Sequence, residues 1–513
     1  MLSRVPLIQA VTAAYAVGAS YAQSTSTFHW PNAQLSYVDQ QLFEGNLHFF
    51  FLSGCTPRDD TTISAQWLRI AYHDMSTHNV DDGSGGLDAS IQFELDRPQN
   101  VGEGMAQSLS DFSSAQTVAP MFGTADTIAL GAVIAVQACG GPFIPFRAGR
   151  VDASEAGPPT VPQPQQDLAT HTELFRQQGF NATEMIALVA CGHTFGGVRQ
   201  VDFPQIITDP EDTFVDFDTT PAFDNTIVSQ YLQNTTENVL VVGPNITTRS
   251  DLRIFSSDGN ETMQSLLNPD TFTQTCGDLI ERMINTVPNG VNLTQAISEP
   301  FDYLVLNPSP NATLTLLWAD RQGSFCPSTG CSVESSGAQQ IGFNIVSAQF
   351  TAKRYNFNAT INGATSISKF WFEINNNDGS DPITVDNGGD GFVIEQDSVF
   401  IDNSRSETVL LTASFQQFDR LVVAVRGDAT SSTASITTFD PKSTDTAPPF
   451  FPVFTTVNLI LDETNPPDNG FIFFTGNVTT TTNFLNISAT SDGETYTQTN
   501  FDMGAVDFLP VDL

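Results

Sequence analysis

The stretch Asn181–Thr194, NATEMIALVACGHT, decides how this chain is read. Asn181 is a helix N-cap residue, and Glu184 completes a capping-box pattern. Met185, Leu188 and Val189 then fall on one face, so the spacing predicts an apolar helix. The helix runs out at Gly192-His193-Thr194-Phe195-Gly196-Gly197. A histidine at the end of an apolar helix, followed by two glycines, suits a ligand offered to a buried flat cofactor. Such a histidine is more often a satisfied core residue, and a second stretch changes that balance. In Leu68–Asp74, LRIAYHD, Arg69 and His73 are four apart and share one helical face. A cation and a general base aimed at one point are what peroxide cleavage requires.

Acidic residues outnumber basic ones 57 to 19, for a net charge of −38, and lysine occurs only at Lys353, Lys369 and Lys442. Such a surface repels nucleic acid and anionic membranes, so neither is an expected partner. It suits secretion into an acidic medium. The N-terminus reads as a signal peptide over residues 1–22: Arg4 supplies the positive region, Val5–Ala19 is apolar but too short and interrupted to span a membrane, and Ser20-Tyr21-Ala22 is a small-x-small cleavage site. Nine Asn-x-Ser/Thr sequons, at Asn181, Asn234, Asn245, Asn260, Asn292, Asn311, Asn358, Asn477 and Asn486, agree with an extracellular destination.

Six cysteines in a secreted chain imply disulfides. Cys55 and Cys139 are a candidate pair. Cys276 has Cys326 and Cys331 as candidate partners, and Cys191, inside the His193 helix, reads as a buried free thiol.

The texture divides the chain. Residues 23–335 carry helical patterns, all the histidines and all the cysteines. Thr124–Cys139 is a long apolar helix stopped by Gly140-Gly141-Pro142. Residues 150–166 are Pro-rich and predict a surface loop, with the next helix opening near Asp167. Residues 336–513 lack His and Cys, and Thr, Val, Ile and Phe alternate in short runs such as Phe370–Ile374, Val409–Phe415, Leu421–Val425 and Phe471–Thr475. Asn/Asp/Gly clusters separate these runs. This half predicts a separate all-β, sandwich-like domain.

Read in order, RIAYHD, GGLDAS, ELDRPQNVG, ACGGP, FRAGR, GHTFGG, FDTTPAFDN and RIFSSD resemble the motifs of the plant–fungal haem peroxidase superfamily, nearest its secreted fungal class II branch. The resemblance covers roughly residues 40–330 and implies a mainly α, two-lobed domain holding haem b. It implies that His193 binds the haem iron and that Asp258 is the carboxylate behind it. On the other face it implies that His73 is the base that moves a proton on hydrogen peroxide, with Arg69 stabilising the leaving oxygen. Asn100 would fix the His73 tautomer, and Glu94 would orient that segment. Two Ca²⁺ ions are also implied. One would be held by Asp74, Gly86, Asp88 and Ser90, the other by Thr194, Asp218, Thr220 and Asp224, sets rich in hard oxygen ligands.

Tyr72 stands before the distal histidine where secreted members usually have Phe. Where manganese-oxidising members carry acids, this chain has Thr62, Gln66 and Arg199, and where lignin-type members carry a redox tryptophan it has Leu188. Trp30, Trp67 and Trp318 remain, none marked as an exposed relay. The resemblance therefore implies a secreted peroxidase that oxidises small phenolic or aromatic donors in one-electron steps through a ferryl state. A wall polymer or a protein is the expected class of partner for the β domain. The rival reading is a catalytically inactive wall- or polysaccharide-binding protein on a peroxidase-like scaffold.

Overall fold

The computed structural model describes residues 9–14, 38, 42, 55–114, 122–209, 213–298, 303–304, 311–323, 326, 330–341, 352–394, 396–411, 416–440, 448–449, 453–479, 484–503 and 509–512. The cleavage site expected at Ser20–Ala22 and Trp30 lie outside the described residues. Within the expected signal segment only Gln9–Ala14 is described, as a strand against Ala352–Asn356.

The first half is helical. Helices α1 (Ile63–Met75), α2 (Glu103–Ser114), α3 (Thr124–Ala138), α4 (Leu168–Gln177) and α5 (Ala182–Gly192) are followed by α6 (Thr226–Gln233), α7 (Val239–Val242), α8 (Ser250–Phe255), α9 (Glu261–Ser265) and α10 (Pro269–Ile284). The segment between α3 and α4 carries no helix and no regular strand, as its prolines predict. Helix α3 is apolar all round and correspondingly central: every residue from Ala125 to Ala138 is buried. Its one acid, Asp126, is tolerated there because Arg150 meets it at 2.8 Å, with both side chains almost fully buried. Helix α1 packs across α3, inserting Trp67, Ile70 and Ala71 into the same core.

Two disulfides tie the helical half. Cys55–Cys139 forms as expected. Cys191 is not a free thiol: it bonds Cys276 and so fastens α5 to α10. Cys326 pairs with Cys331, leaving neither for Cys276. The expectation failed because sequence order hides that α10 returns to lie against α5.

The second half is strand-rich. A six-stranded sheet is centred on Gln416–Arg426 and Phe471–Val478, and a four-stranded sheet on Thr433–Asp440 and Phe484–Ser491. The two share one buried cluster, with Leu421, Val423 and Phe474 from the first and Ile436, Leu485 and Ile487 from the second. A further sheet joins Lys369–Asn375 to Thr313–Ala319 and Cys331–Glu334. Two strands thus lie ahead of the boundary expected at residue 335, and Thr313–Ala319 is central in its sheet. Among the described residues, the helical core also receives Phe484 from the strand-rich half.

Candidate active site

Helices α1 and α5 bring the two site histidines to the lining of one cavity of about 290 Å³. Thr62 caps α1, its hydroxyl accepting from Ala65 N at 3.1 Å. Asn181 and Glu184 form the capping box at the start of α5, and His193 is its C-cap residue. The turn beyond His193 needs its glycines. Gly196 has φ +88°, and a Cβ there would lie 2.8 Å from the Ala65 side chain, so α5 could not end so close to α1.

Arg69 and His73 both line the cavity, as their spacing predicts. His73 Nδ1 lies 2.8 Å from Asn100 Oδ1, and Asn100 Nδ2 donates to the Glu94 carbonyl at 3.0 Å. That second bond fixes the Asn100 amide, so its oxygen faces the imidazole. An amide oxygen only accepts; Nδ1 therefore carries the proton and Nε2 keeps its lone pair. Burial pushes the His73 imidazole down to about 3, Arg69 pushes the same way, and the Asn100 hydrogen bond opposes both. His73 is thus a neutral base across the ordinary pH range. The Glu94 carboxylate holds a different partner, accepting from Gly157 N at 2.7 Å, while its backbone supports Asn100.

Arg69 Nη2 donates to the Val101 carbonyl at 2.9 Å, and its guanidinium lies over the Phe203 ring. Burial lowers it to about 10, opposed by the field of Asp202, so it remains a cation. Tyr72 is turned away from solvent, its hydroxyl donating to Gln178 Oε1 at 3.3 Å, and burial pushes that hydroxyl up.

In the same cavity, His193 Nδ1 lies 2.8 Å from Asp251 Oδ2. A carboxylate accepts, so Nδ1 donates and Nε2 is free for a metal. The ring stacks on Phe217 with centroids 4.2 Å apart and planes 16° from parallel. Asp258, the expected partner, is not there: its Oδ2 accepts from Thr262 N and Oγ1, capping the next helix turn. Ser250-Asp251 and Ser257-Asp258 are the same dipeptide seven residues apart, so sequence alone points as readily to the second as to the first. Only Asp251 falls inside α8, which packs against α5 and so brings that carboxylate to His193.

The expected calcium residues gather in two clusters. Asp74 is fully buried and accepts from Ala89 N and Ile91 N, and Asp88 accepts from Ser90 N. The Gly86 carbonyl lies 3.4 Å from Thr77 Oγ1, which in turn donates to the Asp74 carbonyl. Burial, reinforced by Asp88, holds Asp74 well above the usual carboxylate range, and burial also raises Asp88. Beside His193, the Thr194 hydroxyl donates to the Asp224 carbonyl, and Thr220 bridges Asp218 and Asp224. Asp218 Oδ2 is buried and unmatched by a hydrogen bond, and burial pushes that carboxyl up to about 7, with Asp224 adding to the rise. Among the described residues no three acidic or imidazole side chains converge as a metal cluster. Each cluster instead offers two carboxylates with hydroxyls and carbonyls, the donor chemistry of a hard cation.

Thr62, Gln66 and Arg199 place no carboxylate in the cavity, but Asp202, which no motif marks, does. It is paired with Arg199 at 3.2 Å. Leu188 is buried, and Trp67 is buried with its Nε1 donating to Asp111. Trp318 is buried in its sheet, while Trp371, on the neighbouring strand Lys369–Asn375, is half-buried.

Both imidazoles, each with Nδ1 committed to an acceptor, lie in the segment that the family comparison covers. Residues 54–267 match the family model described as peroxidase. This segment is a peroxidase-family domain. A WSC domain-containing protein of Arthroderma benhamiae is 38% identical over 309 residues, 57% of this chain and 41% of that protein. Putative L-ascorbate peroxidase 6 of Arabidopsis thaliana is 37% identical over 134 residues, 25% of this chain and 40% of the relative. The mitochondrial cytochrome c peroxidase of Yarrowia lipolytica is 33% identical over 142 residues, 27% of this chain and 42% of the relative. The chain therefore spans less than half the length of each of these relatives. The peroxidase domain is the helical half, and the strand-rich half lies beyond the matched segment.

Proposed function

We propose that this chain is a secreted haem peroxidase that uses hydrogen peroxide to oxidise small phenolic or aromatic donors one electron at a time. The observation that carries the reading is the pairing of free Nε2 atoms. His73 and His193 face one cavity, and their Nδ1 atoms are held by Asn100 and Asp251. The residues fit haem b: apolar side chains such as Leu188, Phe195, Ile206 and Met283 line the same cavity as the histidines. His193 would hold the iron, and the haem would supply the redox chemistry.

The chain's own residues do the rest. His73, neutral and with Nε2 free, takes the proton from the near oxygen of peroxide and returns it to the far one. Arg69 lies one helical turn away and offers a cation to the oxygen that leaves. Asn100 keeps the basic nitrogen of His73 aimed into the cavity. Asp251 draws the His193 proton and makes that imidazole a stronger ligand. Two calcium ions would settle the crowded carboxylates, Asp74 and Asp88 with Ser90 and the Gly86 carbonyl, and Asp218 and Asp224 with Thr194 and Thr220.

Arg199 and its ion pair with Asp202 disfavour a manganese route, because Mn²⁺ needs several unpaired hard oxygen ligands. A donor reaching the cofactor edge is the simpler course. The rival, an inactive wall-binding scaffold, draws on the WSC domain-containing relative, whose name carries no catalytic term. The intact Arg69, His73, Asn100 and His193 set favours the enzyme. Secretion rests on the signal-like first 22 residues and the sequons. The test is an absorption spectrum of the purified protein, followed by peroxide-dependent oxidation of a phenolic dye. No haem bound, or haem bound without turnover, would favour the rival.

A further inference from the structure

Asp251 does not serve His193 alone. Its Oδ2 accepts two hydrogen bonds, from His193 Nδ1 at 2.8 Å and from Asn238 Nδ2 at 2.8 Å. Asn238 is fully buried and Asp251 nearly so. The orientation of the Asn238 amide is fixed by its other end, because Leu240 N donates to Oδ1 at 2.8 Å, where Asn238 caps α7. Oδ1 must therefore face the helix and Nδ2 must face the carboxylate. Thr236 Oγ1 holds the Asn238 backbone N–H at 3.1 Å. The remaining oxygen of Asp251 receives the Ser250 hydroxyl at 3.2 Å.

We propose that Asn238 is a positioning residue that limits how much of the Asp251 charge reaches His193, and thereby sets the reduction potential of an iron bound there. This rests on the reading that His193 holds haem. Two donors on one carboxylate oxygen compete for the same lone-pair density, and in a buried site that competition is barely screened. Each share taken by Asn238 leaves His193 less like an imidazolate. A less basic proximal imidazole stabilises the oxidised iron less, so the potential lies higher than an unshared Asp251 would give. Phe217 stacks on the His193 ring without offering it a hydrogen bond, so the balance is struck at Asp251.

Two variants separate the donor from the cap. Asn238→Ser keeps an N-cap oxygen but is one bond shorter and does not span to Asp251; Asn238→Ala loses both. The haem-loaded proteins are compared by the Fe(III)/Fe(II) midpoint potential and by the iron–histidine stretching mode of the ferrous state. Both variants should show a more negative potential and a higher stretching frequency, by similar amounts, while only Asn238→Ala loses thermal stability through the cap. No shift in either variant, or a shift in Asn238→Ala alone, overturns the proposal. A wild-type protein with no iron–histidine mode would instead overturn the haem reading itself, and the proposal with it.

Discussion

The Nδ1 atom of His73 and the Oδ1 atom of Asn100 are 2.8 Å apart, Asn100 is buried and His73 half-buried, and the imidazole is held neutral down to about pH 3. A base must be unprotonated to act, so the reaction with peroxide should be independent of pH through the neutral range and fail only as pH falls toward 3. The stability consequence has the same sign. The folded His73 resists a proton that the unfolded chain accepts below its ordinary value near 6.5, so its contribution is present above that pH and is lost as acid approaches the folded value. His73→Leu should slow the peroxide reaction about 10²–10⁴-fold while leaving haem bound. Rapid mixing across pH checks both statements.

Asp251 and Asp258 give opposite expectations. Asp251→Ala removes the acceptor from His193 and leaves the buried Asn238 amide N–H short of its partner. A buried hydrogen-bond loss of this kind costs about 1–3 kcal/mol, and the ferrous haem spectrum should change with it. Asp258→Asn should leave the spectrum unaltered and weaken only the turn that Thr262 closes. Spectra and melting curves of the two variants, side by side, decide the assignment.

The helix that presents His193 was legible because its signals are local: a cap, a capping-box acid, an apolar face and a stop. Arg69 and His73 were legible for the same reason, one turn apart on α1. What the sequence hid depends on distant segments meeting. The Cys191–Cys276 bond, the choice of Asp251 over Asp258, and Asn238 beside it are set by α7, α8 and α10 packing around α5. The strand Thr313–Ala319 was hidden for a like reason, since its partner Lys369–Asn375 lies far along the chain.

Calcium should matter more at neutral than at acid pH. In the metal-free protein Asp218 is raised to about 7 by burial, so the folded state holds a proton that the unfolded state has released. Stability is therefore lost as pH rises from the ordinary carboxylate value through 7, and a bound cation would restore it. At a hundredfold excess over its dissociation constant a native-state ligand adds about 2.7 kcal/mol. Melting with and without chelator should show a calcium-dependent shift at pH 7.5 that shrinks near pH 5, and Asp218→Asn should reduce it. Equal melting temperatures at both pH values would count against a proximal calcium ion.

Truncation should be sensitive to where the chain is cut. Ending it at residue 335 keeps Thr313–Ala319 and Cys331–Glu334 but removes Lys369–Asn375, leaving a central strand with an open edge. Ending it at residue 298 removes all three. The shorter piece should be the more soluble, though both lose Phe484 from the helical core. Haem retention and gel filtration of the two pieces check this.

The reading as a working peroxidase is tested most directly by mixing the haem-loaded protein with one equivalent of hydrogen peroxide and following its absorption. The expected result is a spectral change complete at one equivalent, reversed by two equivalents of a phenolic one-electron donor, and slowed by orders of magnitude in His73→Leu. A protein that binds haem but shows no change with peroxide, or one in which His73→Leu reacts as fast as the wild type, would contradict it.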